Sequence, residues 1–589
     1  MTDMCVRNKL CRFLAVPVVF LSCILLLAPC ASAYDEGAGE DDPQSFQVST
    51  MLSEKAAKSP AVTILKTRES MIPRYELPEG KTKIREVVVT GSTLLADEAL
   101  ASLKADYEGK EISARDMRRC ADLVNRAYSR EGYITSYAYI KPDRLPDGVL
   151  EIVVVEGRVG KIEIRGNKVF STELLRKKIS QEEGAIFNFK HLNLDVFRMN
   201  KAQDRKASIS LEPDTSTGDT NIVLNIKERS PVHVTLQADN YGADTILYYR
   251  YKTFVSHNNI SGHDDTLTAK VEWAEADAHK IVDFDYSIPL NDIWRFQFYL
   301  LPYKSEDYYA RDNQETDFEK RARKFYFWFY QSLINEPDVE LVSSYGFTYF
   351  DIWWYKPYQD YDSPAKRDEY RVAKWDLALN RADKYGRWVI TNDLQQGIPD
   401  FLAGTPRKSD TASVAGAKGD FVKNLLTVAR RQKLIPGVDL TAKARWQITS
   451  ATLTGVNSFS MGGFNGVIDN RGYPRTQFPA DNGHAMNVGL EFPPYFLSRS
   501  AYVPFSTKTK IYDSLRLFTF VDWSYGALKS PKEGDDKANT LTSAGVGFKY
   551  NVPEQNVSVR VDCGFPLVPE IQSVDGDHTH TWFSVTKGF

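Results

Sequence analysis

The sequence has few of the residues and motifs on which most enzymes and metal sites depend. Of its six cysteines, four lie within the first 30 residues, leaving Cys120 and Cys563, so neither a disulfide framework nor a cysteine metal site is predicted. The motifs H-E-x-x-H, G-x-S-x-G, C-x-x-C and the P-loop are missing. His578 and His580 lie close together, but two histidines with no third ligand nearby are more typical of a polar surface. We therefore predict no enzyme activity, no metal and no cofactor.

An excess of one charge is also missing. The chain carries 74 basic and 77 acidic residues, a net charge of −3, which does not favour a nucleic-acid partner. One apolar run stands out, at 13–29, between a basic stretch and the small residues Ala31, Ser32 and Ala33, and it predicts a signal peptide over 1–33. A single membrane anchor is the alternative. A bundle of membrane helices is excluded because it needs repeated apolar runs of about 20 residues.

The next segments differ in character. Residues 34–80 are polar and contain prolines, with one helix predicted over 46–58, where Ser59 and Pro60 end it. We interpret this stretch as a helix and linker. From 81 to 230 the pattern is mixed α/β, with β-branched runs such as Val149–Val155 and a helix start at Ser113, where Asp116 completes a capping box.

The α/β region contains an internal repeat. A constant offset of 75 residues aligns Gly91 with Gly166 and Leu100 with Leu175. Each copy begins with a short strand, a glycine turn and a helix start, and the order strand, helix, helix, strand, strand is expected in both. The period is long for a solenoid, so two tandem small domains, 81–157 and 158–230, are the better interpretation.

The remaining residues, 231–589, read as β structure. All ten tryptophans of the chain lie here, and apolar and polar residues alternate, as in Val232–Asp239. A soluble sandwich also alternates, but aromatic residues at many strand ends favour a transmembrane β-barrel, whose closed pairing satisfies every backbone group in lipid. The length predicts roughly sixteen strands at about 22 residues per strand and connection. Charged segments at 305–321, 358–369 and 405–418 are predicted as aqueous loops.

One loop and one strand stand out in this region. The segment 459–474 reads FSMGGFNGVIDNRGYP, and 515–522 reads as a strong strand in which Asp522 shares a face with Phe518 and Phe520. An aspartate pointing into a barrel beside aromatic rings needs a partner, and Arg471 could supply two parallel hydrogen bonds. Spacing alone leaves a flexible surface turn as the alternative.

At this point the sequence resembles the TpsB transporters of two-partner secretion. These include the haemolysin secretion/activation proteins (ShlB/FhaC/HecB type) and share a superfamily with the barrel-assembly protein BamA. The segment 132–157 resembles the end of their first polypeptide-transport-associated (POTRA) domain. The loop GGFNGVIDNRGYP is similar to the sixth-loop motif V-R-G-Y/F, with matches at Arg471, Gly472 and Tyr473 and with Asn470 in place of valine.

The strand segment FVDWS resembles a second motif, (F/G)-x-D-x-G. Phe520 and Asp522 match, whereas Ser524 stands where glycine is expected. The resemblance implies that Arg471 reaches into the lumen and pairs with Asp522 on the barrel wall. It also implies that the chain ends in the family's C-terminal barrel signal, Phe589, and that the helix at 46–58 plugs the pore at rest.

The implied fold is mainly β with α+β modules: two periplasmic POTRA domains followed by a roughly 16-stranded antiparallel barrel in the outer membrane of a Gram-negative bacterium. The implied function is recognition and export of an unfolded partner exoprotein of the haemolysin or adhesin type. Outer-membrane lipids and the barrel-assembly machinery, which would insert the barrel, are the other expected partners. The alternative is a BamA-like factor that assembles and inserts other barrels. A nonspecific porin is disfavoured, because porins need no periplasmic modules.

Overall fold

The computed structural model describes residues 62–64, 75–95, 97–214, 217–242, 249–274, 279–309, 316–356, 365–407, 409–464, 469–504, 506, 508–568 and 577–589. The predicted signal peptide and plug helix lie outside these residues. The chain divides into two compact units, one formed by Ala57–Pro231 and one that contains Val232–Phe589. In the described part of the chain, no helix has the length and apolar character needed to cross a membrane.

The first half of the smaller unit is a three-stranded sheet packed against helices. The strand β1 (Val62–Ile64) precedes it in the chain but belongs to the sheet of the second half. The elements of the first half are β2 (Lys81–Lys83), β3 (Glu86–Thr90), α1 (Asp97–Tyr107), β4 (Glu111–Ser113), α2 (Ala114–Arg130), β5 (Tyr137–Lys141) and β6 (Val149–Val155). The sheet order is β3–β6–β5, with β3 parallel and β5 antiparallel to β6. The predicted capping box is confirmed, since Ser113 and Asp116 bond each other's main-chain N–H groups at the start of α2.

The second half repeats this order. Its elements are β7 (Val159–Arg165), α3 (Thr172–Lys177), α4 (Phe189–Met199), β8 (Arg205–Pro213) and β9 (Thr220–Glu228). The sheet order is β1–β8–β9–β7, and β1 pairs in parallel with β8 from Ile209 to Leu211. The predicted order of strand, helix, helix, strand and strand is therefore present in both halves, and each half has its own apolar core.

Glycine is required at the same place in both copies. Gly91 and Gly166 have φ angles of +77° and +88°. A Cβ atom on Gly91 would lie 2.3 Å from the carbonyl oxygen of Val154, and one on Gly166 would lie 2.4 Å from that of Ile226. Both the left-handed backbone and the close approach to the last strand exclude a side chain. The repeat seen in the sequence thus has a physical cause.

The repeat extends to the strand that follows the second helix of each copy. Asn125 on α2 donates to the carbonyl oxygen of Ala138 and accepts from its N–H, at 3.0 and 2.8 Å. Asn200, which is 75 residues further on and follows α4, makes the same two bonds to Ala207, at 3.0 and 2.6 Å. Asn125 thereby satisfies groups of the edge strand β5, and Asn200 satisfies groups of β8 that β1 leaves uncovered; such unpaired groups would otherwise invite pairing with another chain.

The larger unit is a closed barrel of sixteen antiparallel strands. The strands of the barrel are β10 (Val232–Asp239), β11 (Arg250–Asn258), β12 (Thr266–Ala274), β13 (His279–Pro289), β14 (Trp294–Tyr309), β15 (Thr316–Asn335), β16 (Val339–Tyr355), β17 (Lys366–Asp383), β18 (Gly386–Gly397), β19 (Val422–Ile435), β20 (Val438–Thr449), β23 (Asn482–Phe492), β24 (Leu515–Ala527), β25 (Ala538–Val552), β26 (Val557–Pro566) and β27 (His580–Gly588). Between β20 and β23 lies a separate short hairpin of β21 (Phe459–Met461) and β22 (Phe478–Ala480), and the one-turn helix α5 (Ile511–Ser514) precedes β24. The predicted fold class is confirmed.

The barrel closes between its last and first strands. β27 pairs with β10 over five residue pairs, from Thr235 with Gly588 to Asp239 with Ser584. Beyond the pair of Thr235 with Gly588, the N–H of Phe589 donates to the carbonyl oxygen of Val234 at 2.8 Å. No open edge is left in the ladder of the sixteen described strands, as a barrel in lipid requires.

The two faces of the wall alternate in chemistry. Across β14 to β17, the register joins Phe296, Phe329, Tyr345 and Trp375 into one row. The last three side chains of this row are 38, 43 and 44% exposed, so the row lies on the outside. Trp328, next to Phe329 in the chain, is buried on the inside. An aromatic outer face of this kind suits lipid.

One predicted loop is wrong. Most of the segment 305–321 is strand, because β14 continues to Tyr309 and β15 begins at Thr316. The segment 358–369 likewise includes the start of β17, whereas 405–418 lies between β18 and β19 as predicted. The charged residues misled the sequence interpretation, because backbone pairing with neighbouring strands can continue beyond the apolar band, where charged side chains meet water.

Candidate functional site

The site is formed by loop 6, defined as residues 450–481, the connection between β20 and β23. Its hairpin of β21 and β22 carries the predicted motif residues between its two arms. The described part of loop 6 brings Arg471, Gly472 and Tyr473 against β24, β25, β26 and β27. All three residues are buried.

Arg471 and Asp522 form the pair that the sequence suggested. The Nε and Nη2 atoms of Arg471 donate to Oδ2 and Oδ1 of Asp522 at 2.8 and 2.7 Å, and its main-chain N–H donates to Oδ2 at 3.1 Å. The guanidinium lies 3.4 Å from the ring centroid of Phe520. The residues of the two predicted motifs are thus in direct contact, and a cation–π contact supplements the bidentate ion pair.

Sequence reasoning missed a second carboxylate. Nη1 of Arg471 donates to Oδ1 of Asp562 at 2.8 Å, and Arg560 bonds the same aspartate through Nε at 2.7 Å. Asn487 adds a 2.9 Å bond to Oδ1 of Asp522. The signal was present in the alternation V-S-V-R-V-D of β26, which places Arg560 and Asp562 on one face.

The motif requires glycine at position 472 because the loop backbone lies directly against the barrel wall there. A Cβ atom on Gly472 would lie 2.6 Å from Cβ of Ser543 and 2.7 Å from the carbonyl carbon of Phe565. A Cβ atom on Gly564 would lie 2.4 Å from the carbonyl carbon of Arg471. Both glycines let the loop lie directly on the wall.

Tyr473 anchors the loop through an apolar contact. Its side chain is fully buried, and its hydroxyl donates to the carbonyl oxygen of Thr542 at 3.4 Å. The cluster around it combines the loop hairpin with the wall, and its other members are Phe459, Met461, Phe478, Ala480, Ala485 and Leu541.

Loop 6 also contacts both sides of the barrel closure. Trp582 on β27 donates through Nε1 to the carbonyl oxygen of Arg471 at 2.9 Å, and Nδ1 of His580 lies 2.8 Å from the carbonyl oxygen of Gly472. Tyr241, just after β10, packs against Phe464 with ring centroids 4.7 Å apart. The interpretation of His580 as a polar surface residue is wrong, because it is buried against the loop.

Other buried charges of the barrel form ion pairs on β10 to β13. On β10 to β12, Asp239 contacts Arg250 at 2.9 Å and Lys252 at 3.2 Å, and all three are buried. Lys270 contacts Asp283 at 2.7 Å on the next pair of strands. Within the part of the chain that the structure describes, no group of three or more His, Cys, Asp or Glu residues is arranged to hold a metal ion.

A sixteen-stranded barrel with a polar lumen, a loop bonded to its inner wall and a preceding α/β unit defines an outer-membrane barrel protein of the POTRA class. The sequence profile of the haemolysin secretion/activation protein ShlB/FhaC/HecB family matches residues 218–550. Two POTRA profiles match as well, the ShlB-type POTRA domain over 82–157 and the surface antigen variable number repeat over 158–229. The chain belongs to the haemolysin secretion/activation protein ShlB/FhaC/HecB family.

Similar proteins agree with this assignment. The heme/hemopexin transporter protein HuxB of Haemophilus influenzae (strain 86-028NP) is 20% identical over 554 residues, which cover 91% of each chain. The hemolysin transporter protein HpmB of Proteus mirabilis is 29% identical over 219 residues, or 37% of this chain and 36% of that protein. The solved structure of CdiB from Escherichia coli shares the fold with a TM-score of 0.67 at 18% identity, over 89% of this chain and 94% of that one.

Location and general function follow from family membership. The chain is an outer-membrane protein translocator, with its barrel in the outer membrane and its POTRA domains in the periplasm. The family consists of transporters.

Proposed function

We propose that this chain exports a dedicated partner exoprotein of the haemolysin or adhesin type, and that the Arg471–Asp522 pair holds loop 6 in the lumen until the partner arrives. The observation that carries the proposal is the buried bidentate contact of Arg471 with Asp522, extended to Asp562. The relatives' names support the choice of cargo, since they include a hemolysin transporter and a heme/hemopexin transporter.

The energetics of this contact suit a gate. Displacing loop 6 would leave Asp522 without an arginine in a site from which water is largely excluded, whereas Asp562 would keep Arg560. An uncompensated buried charge costs several kcal/mol. Loop 6 therefore moves when another interaction compensates for the loss. An entering polypeptide with unpaired backbone groups provides such an interaction along the polar lumen.

Recognition is assigned to the POTRA domains. An unfolded chain offers free N–H and C=O groups, and a domain with sheet edges can bind it by strand addition. In the first domain, an asparagine satisfies one position of the edge strand β5, at Ala138, and in the second domain another satisfies Ala207 of β8, outside the stretch that pairs with β1. No nucleotide-binding motif occurs in the sequence, so folding of the partner outside the cell is the proposed source of direction.

The proposal includes two further partners. The outer aromatic row, with Phe329, Tyr345 and Trp375, is assigned to outer-membrane lipid. Insertion is assigned to the barrel-assembly machinery, with Phe589 as the C-terminal signal next to the closing strands.

A second candidate function is assembly of other outer-membrane barrels. The structure of BamA from Haemophilus ducreyi lacking POTRA domains 1–3 shares the fold, with a TM-score of 0.52 at 15% identity, over 87% of this chain and all of that one. Two POTRA domains and the ShlB-type profile favour export over assembly.

Deletion of the gene separates the two functions. If the chain is a dedicated exporter, one large protein disappears from the medium, while the outer-membrane protein profile stays intact. Complementation with the wild-type gene restores that protein. If many barrel proteins decline together in the outer membrane, the chain is an assembly factor and the export proposal is wrong.

A further inference from the structure

A second group of contacts holds the tip of loop 6, next to Arg471. Asn470 is fully buried, and its side-chain amide faces the barrel wall. Its Nδ2 donates to Oγ of Ser524 at 2.9 Å and to the carbonyl oxygen of Leu541 at 3.0 Å. Its Oδ1 accepts from Oγ of Ser543 at 2.9 Å. Both donor hydrogens and the acceptor oxygen of this amide are therefore used on the wall.

The partners of Asn470 are as buried as the amide itself. Ser524 on β24 and Ser543 on β25 have no exposed surface. The backbone of Asn470 is also bonded, since its N–H donates to the carbonyl oxygen of Gly463 at 3.0 Å, and its own carbonyl oxygen accepts from Tyr473 at 3.1 Å. Loop and wall therefore meet here in a closed, uncharged hydrogen-bond network.

We propose that Asn470, Ser524 and Ser543 form a neutral clasp that positions the tip of loop 6 and thereby places Arg471 on Asp522. Asn470 and Ser524 are the two positions at which this chain departs from the sixth-loop and strand motifs, and they contact each other. Valine at 470 could not bond Ser524, and glycine at 524 would remove a partner of Asn470. The two departures therefore compensate for each other.

Single and double substitutions in the clasp are expected to differ in their cost to loop packing. Removing one partner leaves a buried polar group unsatisfied, whereas replacing both partners with apolar groups removes most of that penalty. Asn470→Val and Ser524→Gly should therefore each loosen the loop. The double variant should lose much less than the product of the two single effects, because residues in one network are not additive.

Limited trypsin digestion of the full-length protein in detergent micelles tests whether these variants loosen loop 6 at Arg471. In the wild type, Arg471 is buried, so cleavage after it is slow. We expect cleavage after Arg471 to be at least about tenfold faster in Asn470→Val, since three wall groups lose the amide and one unpaired buried group alone would cause a change of about that size. In the double variant Asn470→Val/Ser524→Gly cleavage should be slower than in Asn470→Val, because the Ser524 hydroxyl is no longer left without its partner. It should stay faster than in the wild type, because Ser543 and the carbonyl oxygen of Leu541 still lack the amide. General loosening of the fold would instead accelerate cuts elsewhere, which mass spectrometry of the fragments detects.

Two controls keep the test decisive. The shift of the folded barrel on unheated gels should persist in all variants, and if Asn470→Val fails to fold, Ser543→Ala replaces it, since that change removes one bond. The clasp proposal is wrong if the folded single variants are cleaved after Arg471 at the wild-type rate. It is also wrong if the rate increase in the double variant equals the product of the two single increases. The cleavage readout does not depend on secretion, so it stands even if the proposed cargo export fails. Slowed secretion in the single variants, partly restored in the double variant relative to Asn470→Val, would link the clasp to that export.

Discussion

The two units of this chain bury opposite chemistry. The POTRA unit packs apolar side chains such as Leu150 and Leu192 in the centre of each domain. The barrel buries charge in its interior, around Arg471 and Asp522, and presents aromatic side chains such as Trp375 on its outside. Barrel stability therefore depends mainly on strand pairing and the lipid-facing wall, which leaves the interior available for contacts that function can break.

The largest effect is expected where the barrel interior loses a charge. Asp522→Ala leaves Arg471 with Asp562 as its remaining carboxylate, and breaking a buried ion pair costs about 3–5 kcal/mol. We expect loop 6 to leave the wall and secretion to fail, while the barrel keeps its gel shift because every strand pair remains. The matched variant Arg471→Ala should act alike. Normal secretion by both variants would show that the motif has no role in export.

Substitutions in the POTRA unit should act by lowering the stability of its fold. Leu150→Ala removes a fully buried side chain from the first domain and should cost about 2–5 kcal/mol, because a cavity remains. Leu94→Ala, at a position that is 40% exposed, is the control and should barely change the stability of the domain. Protease sensitivity of the periplasmic unit in the full-length protein measures both. Equal sensitivity of the two variants would contradict the assignment of this core.

Adjacent positions on β14 compare the two faces of the wall. Phe298→Arg places a charge on the lipid side and should cost about 2–4 kcal/mol near the membrane midplane. Gln297→Arg faces the lumen, where Gln297 already donates to Asp285 at 2.6 Å, so an arginine has a carboxylate partner. The yield of folded barrel in the outer membrane measures the difference. The assignment of the two faces is wrong if Gln297→Arg lowers the yield of folded barrel more than Phe298→Arg does.

The smallest effect concerns one carboxylate of the first POTRA domain. Burial opposes the charge of Glu156, but bonds from Thr93 at 2.6 and 2.7 Å and from Tyr128 at 2.7 Å outweigh it and hold its pKa below the usual value. The stabilisation is present above the unfolded carboxyl pKa of about 4.3 and is lost as the pH falls through the lowered folded value.

Glu156→Gln should cost about 1 kcal/mol at neutral pH, since the site is partly exposed. It should also flatten the acid dependence of protease resistance in this unit. An unchanged acid profile in the variant would show that Glu156 does not contribute to it.

Much of the architecture could be predicted because it depends on local pattern. The repeat was visible because Gly91 and Gly166 are required by backbone geometry, and the barrel was visible because its two faces alternate along each strand. Loop bounds were less predictable, since the charged segment 305–321 pairs as strand once its neighbours are in place.

The site was predicted in part. Arg471 and Asp522 were identified by their motifs, whereas Asp562 and His580 were not, because their roles arise from β26 and β27 folding around a loop about 100 residues earlier in the chain. The bonding of Asn470 with Ser524 likewise depends on a register between loop and wall that spacing does not reveal.

The pairing of β27 with β10 has a consequence for biogenesis. This ladder joins residues separated by nearly the whole barrel sequence, such as Thr235 and Gly588, so it can form after synthesis of the entire barrel and not before. Until then, the growing sheet exposes two unpaired edges, which are sites of aggregation in water. The open barrel is therefore at risk of aggregation before it closes, and the time to closure sets how long its edges stay exposed.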